Sequence, residues 1–213
     1  VSTDKTYYIE GLAKGDYTLV ETLAPNEYVI SSNVNFSVDD SGKVHQVKMV
    51  DKQVKFTKTD VTGEKEVEGA EITVTDKETN QVVDKWTSGK DAHYISGLKE
   101  GKTYVLSEVV SPEGYVKSTD IEFTVTTDKE TQKVNMKDKR VEFTKTDVTG
   151  EKEVEGAEIT VTDKETNEVV DKWTSGKDKH YINGLEEGKT YVLSEVTAPS
   201  EYVKATDVEF TVT

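Results

Sequence analysis

The sequence predicts an all-β chain made of small β-sandwich modules in tandem. Residues 53–126 align without a gap to residues 140–213 at an offset of 87, with 62 of 74 positions identical. Inside each copy, Ala70-Glu71-Ile72-Thr73-Val74-Thr75 and Ile121-Glu122-Phe123-Thr124-Val125 alternate apolar and polar residues with the period of two that a half-buried strand needs. No stretch of helical period competes with them. A period near 87 belongs to a domain array rather than a solenoid, and short, evenly spaced strands favour a sandwich over a barrel.

Residues 1–52 match the later part of the same unit more loosely. Ile9-Glu10-Gly11-Leu12 answers Ile95-Ser96-Gly97-Leu98, with one residue fewer before Tyr17 than before Tyr104. The expected division is therefore the C-terminal part of a module at 1–52, a complete module at 53–139, and a module at 140–213 lacking its last strand. The mid-repeat start predicts an excerpt from a longer protein. Within a module, turns fall at Thr62-Gly63-Glu64, Asp76 to Asn80 and Glu100-Gly101-Lys102. The junctions Asp51-Lys52-Gln53-Val54 and Asp138-Lys139-Arg140-Val141 contain no Gly, Ser or Pro, which predicts stiff joints.

Charged residues make up 32% of the chain and hydrophobic residues 33%, so the core must be lean. The net charge of −15 argues against nucleic acid and anionic membrane as partners and for a solvated surface. No run is apolar and long enough to cross a membrane, and no signal peptide opens the chain. Cysteine is absent. Small secreted domains usually brace a thin core with disulfides, so any brace here has other chemistry.

Three ionisable residues break the apolar pattern on inward faces. Lys58 shares its phase with Val54 and Phe56, Glu108 with Tyr104 and Leu106, and Asp138 with Val134 and Met136. Asn135 is out of phase with Met136. An unpaired buried charge costs several kcal/mol, so such groups pair, neutralise or react. Lysine attacks only as a free amine, and a carboxyl loses hydroxide only as the acid. Burial favours both forms, a second carboxyl can carry the proton, and fixed geometry supplies a high effective concentration. The unreactive alternative is a buried ion-pair network. His45, His93 and His180 fall one to a module and do not cluster, which predicts no metal site, and no cofactor motif appears. The acidic turns lack calcium-loop spacing, and Trp86 and Trp173 read as core or edge aromatics.

Tyr17-Thr18-Leu19-Val20-Glu21-Thr22-Leu23-Ala24-Pro25-Asn26-Glu27-Tyr28 resembles the YxLxETxAPxGY E-box of Gram-positive pilins and adhesins, and Tyr104 to Tyr115 and Tyr191 to Tyr202 carry variants of it. Phe56-Thr57-Lys58-Thr59-Asp60 with Glu68-Gly69-Ala70 resembles the opening of a collagen-adhesin B-type (CnaB) domain. Val47-Lys48-Met49-Val50-Asp51 resembles that family's closing strand. The resemblance covers essentially the whole chain and implies tandem Ig-like, prealbumin-like sandwiches, each with a spontaneous Lys–Asp isopeptide bond assisted by the E-box glutamate. In the middle module it implies Lys58 as nucleophile, Asp138 as electrophile and Glu108 as proton shuttle. The last module supplies Lys145 and Glu195, its aspartate lying beyond Thr213. The first supplies Glu21 and Asp51, its lysine lying before Val1. Glu108 and Glu195 are followed by valine where Glu21 is followed by Thr22. Glu27 and Glu201 stand where Gly114 keeps the family's glycine.

The function this implies is a structural stalk segment of a cell-wall-anchored adhesin or pilin-like protein, extracellular and at the cell surface, with anchoring through other parts of the parent. Bond formation would happen once per domain, as maturation rather than enzymatic turnover. Expected partners are a host extracellular-matrix ligand held by other parts of the parent and strand complementation from a neighbouring chain. Two alternatives stand beside it. One is that the modules themselves bind host matrix or glycan. The other is an engineered split-domain coupling protein.

Overall fold

The computed structural model describes residues 6–126 and 131–213; the first five residues of the leading module lie outside them. The described residues contain strands and no helix, as the alternating runs predict. In the leading module β1 (Gly15–Leu19) and β2 (Val34–Val38) pair antiparallel. The middle module holds β3 (Val54–Asp60), β4 (Glu71–Asp76), β5 (Val82–Thr87), β6 (His93–Tyr94), β7 (Thr103–Val110), β8 (Ile121–Thr124) and β9 (Gln132–Asp138). The last holds β10 (Glu142–Phe143), β11 (Glu158–Asp163), β12 (Val169–Thr174), β13 (His180–Tyr181), β14 (Thr190–Thr197) and β15 (Val208–Thr211).

The chain divides into two compact units. One comprises Val1–Val54, Tyr94–Lys102 and Thr124–Gln132; the other comprises Lys55–His93, Thr103–Phe123 and Lys133–Thr213. In the first unit Tyr17 stacks on Phe36 across the β1–β2 pair, with ring centroids 5.6 Å apart. The stretch Val47–Asp51, expected to be a closing strand, forms no strand. A strand needs a ladder partner for its backbone groups, and among the described residues no opening strand lies opposite it. It is held at single points: Ser31 Oγ donates to Val50 O, and Val29 N to Lys52 O. Ile30 N donates to Leu98 O at 2.7 Å, and Lys52 Nζ meets Glu100 Oε1 at 2.5 Å.

The second unit carries most of both sheets of the middle module. Sheet order is β6-β3-β9 in one and β5-β4-β7-β8 in the other. Phe56 on β3 lies against Trp86 on β5 and Phe123 on β8, with centroids 5.8 and 5.3 Å away, so the two sheets face each other. The inward positions Val54, Phe56 and Lys58, then Tyr104, Leu106 and Glu108, then Val134, Met136 and Asp138, are all buried. The last module repeats the four-stranded sheet as β12-β11-β14-β15, and among the described residues its facing sheet is the two-stranded β10-β13. Its core gathers Val116, Phe143, Val161, Ile182, Leu185 and Tyr191.

Where the middle module meets the last, the contacts found around Ile30 and Lys52 recur 87 residues on. Val116 N donates to Lys139 O, Lys117 N to Leu185 O, and Lys139 pairs with Glu187. Gly114 N also donates to Asn183 Oδ1. Arg140 lies over the rings of Tyr115 and Tyr181, at 4.1 and 5.3 Å from their centroids.

Candidate functional site

The middle of the sandwich brings Lys58, Glu108 and Asp138 together from three strands. β3 delivers Lys58 and β9 delivers Asp138 from one sheet, and β7 delivers Glu108 from the other. A register shift between Glu71 and Ile72 sets Glu108 opposite Ile72, with its side chain turned inward. Bulges of this kind often re-aim a side chain beside a functional site. Lys58, Glu108 and Asp138 are 3%, 2% and 1% exposed, as enclosed as the leucines around them.

Lys58 Nζ touches Asp138 Oδ1 and lies 3.0 Å from Glu108 Oε1. The Glu108 contact is ionic without hydrogen-bond alignment, since Oε1 accepts no hydrogen bond, and Asp138 Oδ2 accepts none either. Two buried carboxylate oxygens without donors are costly for charged carboxylates. Burial pushes the Glu108 carboxyl above its ordinary value, against the opposing pull of the Ser118 amide and the Lys58 charge. A glutamate poised this way can take a proton and return it.

One residue of the site escaped sequence reasoning. Ser118 donates its amide to Glu108 Oε2 at 2.6 Å, and its hydroxyl lies 3.2 Å from Lys58 Nζ and 2.8 Å from Asp138 Oδ1. It sits on the loop after β7, where no periodicity points inward. The available signal was the three-way comparison of modules, which sets Ser31, Ser118 and Ala205 at one position.

The other modules carry parts of the same arrangement. Lys145 Nζ is 3.5 Å from Glu195 Oε1, and the Lys145 side chain is 21% exposed against 2% for Lys58. Glu195 Oε2 accepts from Ala205 N at 2.6 Å, and its Oε1 accepts nothing. Glu21 Oε2 accepts from Ser31 N at 2.7 Å, and Asp51 is half-buried. Asn135 points away from the triad to Thr57 Oγ1 and Thr59 Oγ1, each 3.1 Å from its Oδ1. Each complete histidine site is a local brace: His93 stacks on Trp86 and sits 2.7 Å from Asp84 Oδ2, and His180 repeats this with Trp173 and Asp171.

A family model described as the SpaA prealbumin-like fold domain matches residues 1–53, 52–140 and 139–213. The chain is similar to solved structures of the Bacillus anthracis TIE protein, at 25% identity over 95% of this chain and 40% of that one, with a TM-score of 0.34. It is also similar to a streptococcal ancillary pilin, at 23% identity over 95% of this chain and 72% of that one, with a TM-score of 0.39. Similarity to the shaft pilin SpaA of Lactobacillus rhamnosus GG is 17% identity over 76% of this chain and 93% of that one, with a TM-score of 0.36. The chain thus spans well under half of the TIE protein chain. No curated protein matches it.

Proposed function

Because the chain belongs to the family of SpaA prealbumin-like fold domains, we propose that it is a shaft or stalk segment of a pilin-like surface protein. Its middle module is closed by an amide bond between Lys58 Nζ and Asp138 Cγ. The observation that carries this is the enclosed contact of Lys58 with Asp138, with Glu108 at 3.0 Å. An ion pair alone explains the contact less well, because a buried pair gains little over an apolar one and two carboxylate oxygens here lack donors.

The chemistry follows from the positions. The neutral Lys58 amine attacks Cγ of the Asp138 acid, and Glu108 takes one N–H proton. Glu108 then gives that proton to the departing hydroxyl, which leaves as water. One amide forms, one water is lost, and Glu108 ends as it began. The event happens once in the life of the module. It replaces two buried charges with a neutral group and gives a cysteine-free chain the covalent brace that disulfides give others.

The module limits 1–52, 53–139 and 140–213 belong to the same reading, as do Lys145 with Glu195, and Asp51 with Glu21, as parts of equivalent sites. The segment works outside the cell, at the surface, with wall anchoring and any host-matrix contact carried by other parts of the parent protein. Its own partners are strands of neighbouring chains.

Intact mass of the purified chain tests the bond. The expected mass is short by one water, with a branched proteolytic peptide joining Lys58 to Asp138, and Glu108→Ala restores the full mass. A wild-type chain of full mass overturns the reading.

A further inference from the structure

We propose that the Ser118 hydroxyl is a catalytic group of the bond-forming step in the middle module, a role that rests on the Lys58–Asp138 reading above. Its Oγ lies 3.2 Å from Lys58 Nζ, 2.8 Å from Asp138 Oδ1 and 2.8 Å from the backbone oxygen of Lys137. A hydroxyl has one proton to donate and two lone pairs that accept. The Lys137 carbonyl can only accept, so satisfying all three neighbours assigns the serine proton to it. The two lone pairs then receive an N–H of Lys58 and the O–H of Asp138. That arrangement is complete only when Asp138 is the acid, which is the form that can lose water.

Ser118 thereby gathers both reactants on one oxygen and places the amine beside Cγ, while its amide holds Glu108 at 2.6 Å. In the step itself the Nζ–Cγ bond forms and one N–H proton passes to Glu108. The Asp138 oxygen held by Ser118 keeps its own proton, receives the second from Glu108, and leaves as water. Asp138 Oδ2 becomes the amide oxygen, and the serine proton stays on Oγ throughout.

The last module separates the hydroxyl from the amide, and the first keeps both. Ser31 repeats both contacts: its amide donates to Glu21 Oε2 at 2.7 Å and its hydroxyl to Val50 O at 2.9 Å. Ala205 keeps the amide contact to Glu195 at 2.6 Å without a hydroxyl. The fold accepts alanine at this position, so the hydroxyl of Ser118 is free to serve chemistry.

The test follows the full 213-residue chain from synthesis. Wild type, Ser118→Ala, Ser118→Thr and Glu108→Ala are made by cell-free translation, quenched in denaturant at intervals, and weighed intact. The wild type loses one water. Ser118→Ala loses it more slowly by roughly ten- to a hundredfold, the worth of a hydrogen bond to a charged or reacting group, and Ser118→Thr recovers most of the rate. An independent arm adds the hydroxyl instead: Ala205→Ser speeds coupling of Lys145 to a peptide of residues 131–139. Ser118→Ala reacting at the wild-type rate, a slow Ser118→Ala that threonine does not rescue, or no gain from Ala205→Ser overturns the serine role and leaves the Lys58–Asp138 bond standing. A wild type that never loses water overturns that bond as well.

Discussion

The middle and last modules share Phe-Thr-Lys-Thr-Asp, at 56–60 and 143–147, yet the two lysines meet different surroundings. Lys58 lies within a seven-residue strand, and its side chain is 2% exposed. Lys145 falls beyond a two-residue strand, and its side chain is 21% exposed. The cause lies across the sheet, because β3 has β6 on one edge and β9 on the other, whereas among the described residues β10 pairs with β13 alone. The effect reaches the opposite sheet, where Leu106 is buried and its counterpart Leu193 is only partly so. A strand's own residues set which side chains face inward. Its length, and how dry those side chains become, come from the neighbour that completes the ladder.

The largest effect should come from removing the partner in the middle module. Closing a loop of about 80 residues is worth roughly 4.5 kcal/mol in the chain-entropy model. Asp138→Ala should therefore lower the stability of this module by about 4 kcal/mol or more, since it also strands Lys58 without its carboxylate. Denaturant unfolding should show one transition moving and the transition of the last module unmoved. Equal shifts in both would break the contrast between the modules.

The converse experiment supplies the last module with what it lacks among these residues. A peptide of residues 131–139 should add beside β10 by strand pairing and couple to Lys145, giving an adduct short of one water by mass. Lys145→Ala should give none. Failure of the wild type to couple, with the peptide bound, would mean that burial by β9 is insufficient to make this lysine reactive.

A smaller effect is expected where the E-box loops differ. Gly114 has φ +75°, and a Cβ there would lie 3.3 Å from Tyr181 Cβ, whereas Glu27 and Glu201 hold φ 68° and 72° as ordinary residues. Gly114→Ala should cost ~1–2 kcal/mol through the left-handed backbone and the crowded contact. Glu201→Gly should gain up to about 1 kcal/mol by relieving the backbone. Thermal unfolding of the two variants reads both signs.

The pH dependence of Glu108 should be the smallest difference. Its folded carboxyl is raised above the ordinary value of 4.5. A raised carboxyl binds more protons when folded, so its contribution is full below pH 4.5 and declines as pH climbs through the higher folded value. Asp60 and Asp147, held below 3.8 chiefly by the Thr62 and Thr149 hydroxyls, act with the opposite sign at lower pH. Because Glu108→Gln also blocks the bond, the slope of the wild-type-minus-variant difference with pH, and not its size, reads the Glu108 share. The wild type should lose stability relative to the variant as pH rises from 4.5. A flat difference would show that burial does not govern this carboxyl.

The strand class, the repeat and the inward phase of Lys58, Glu108 and Asp138 are legible in the order of residues alone. Those features are local: a period of two assigns every side chain to a face whatever lies opposite. Tertiary structure alone decided the rest. Ser118 reaches Lys58 and Asp138 from an irregular loop, where periodicity carries no information. Val47–Asp51 has a strand-like sequence and forms no strand, because backbone donors and acceptors are satisfied by a partner and not by propensity. Lys58 and Lys145 differ for the same reason. Desolvation is a property of what packs around a side chain, and that is supplied from 80 residues away, at Asp138, rather than by the residues beside the lysine.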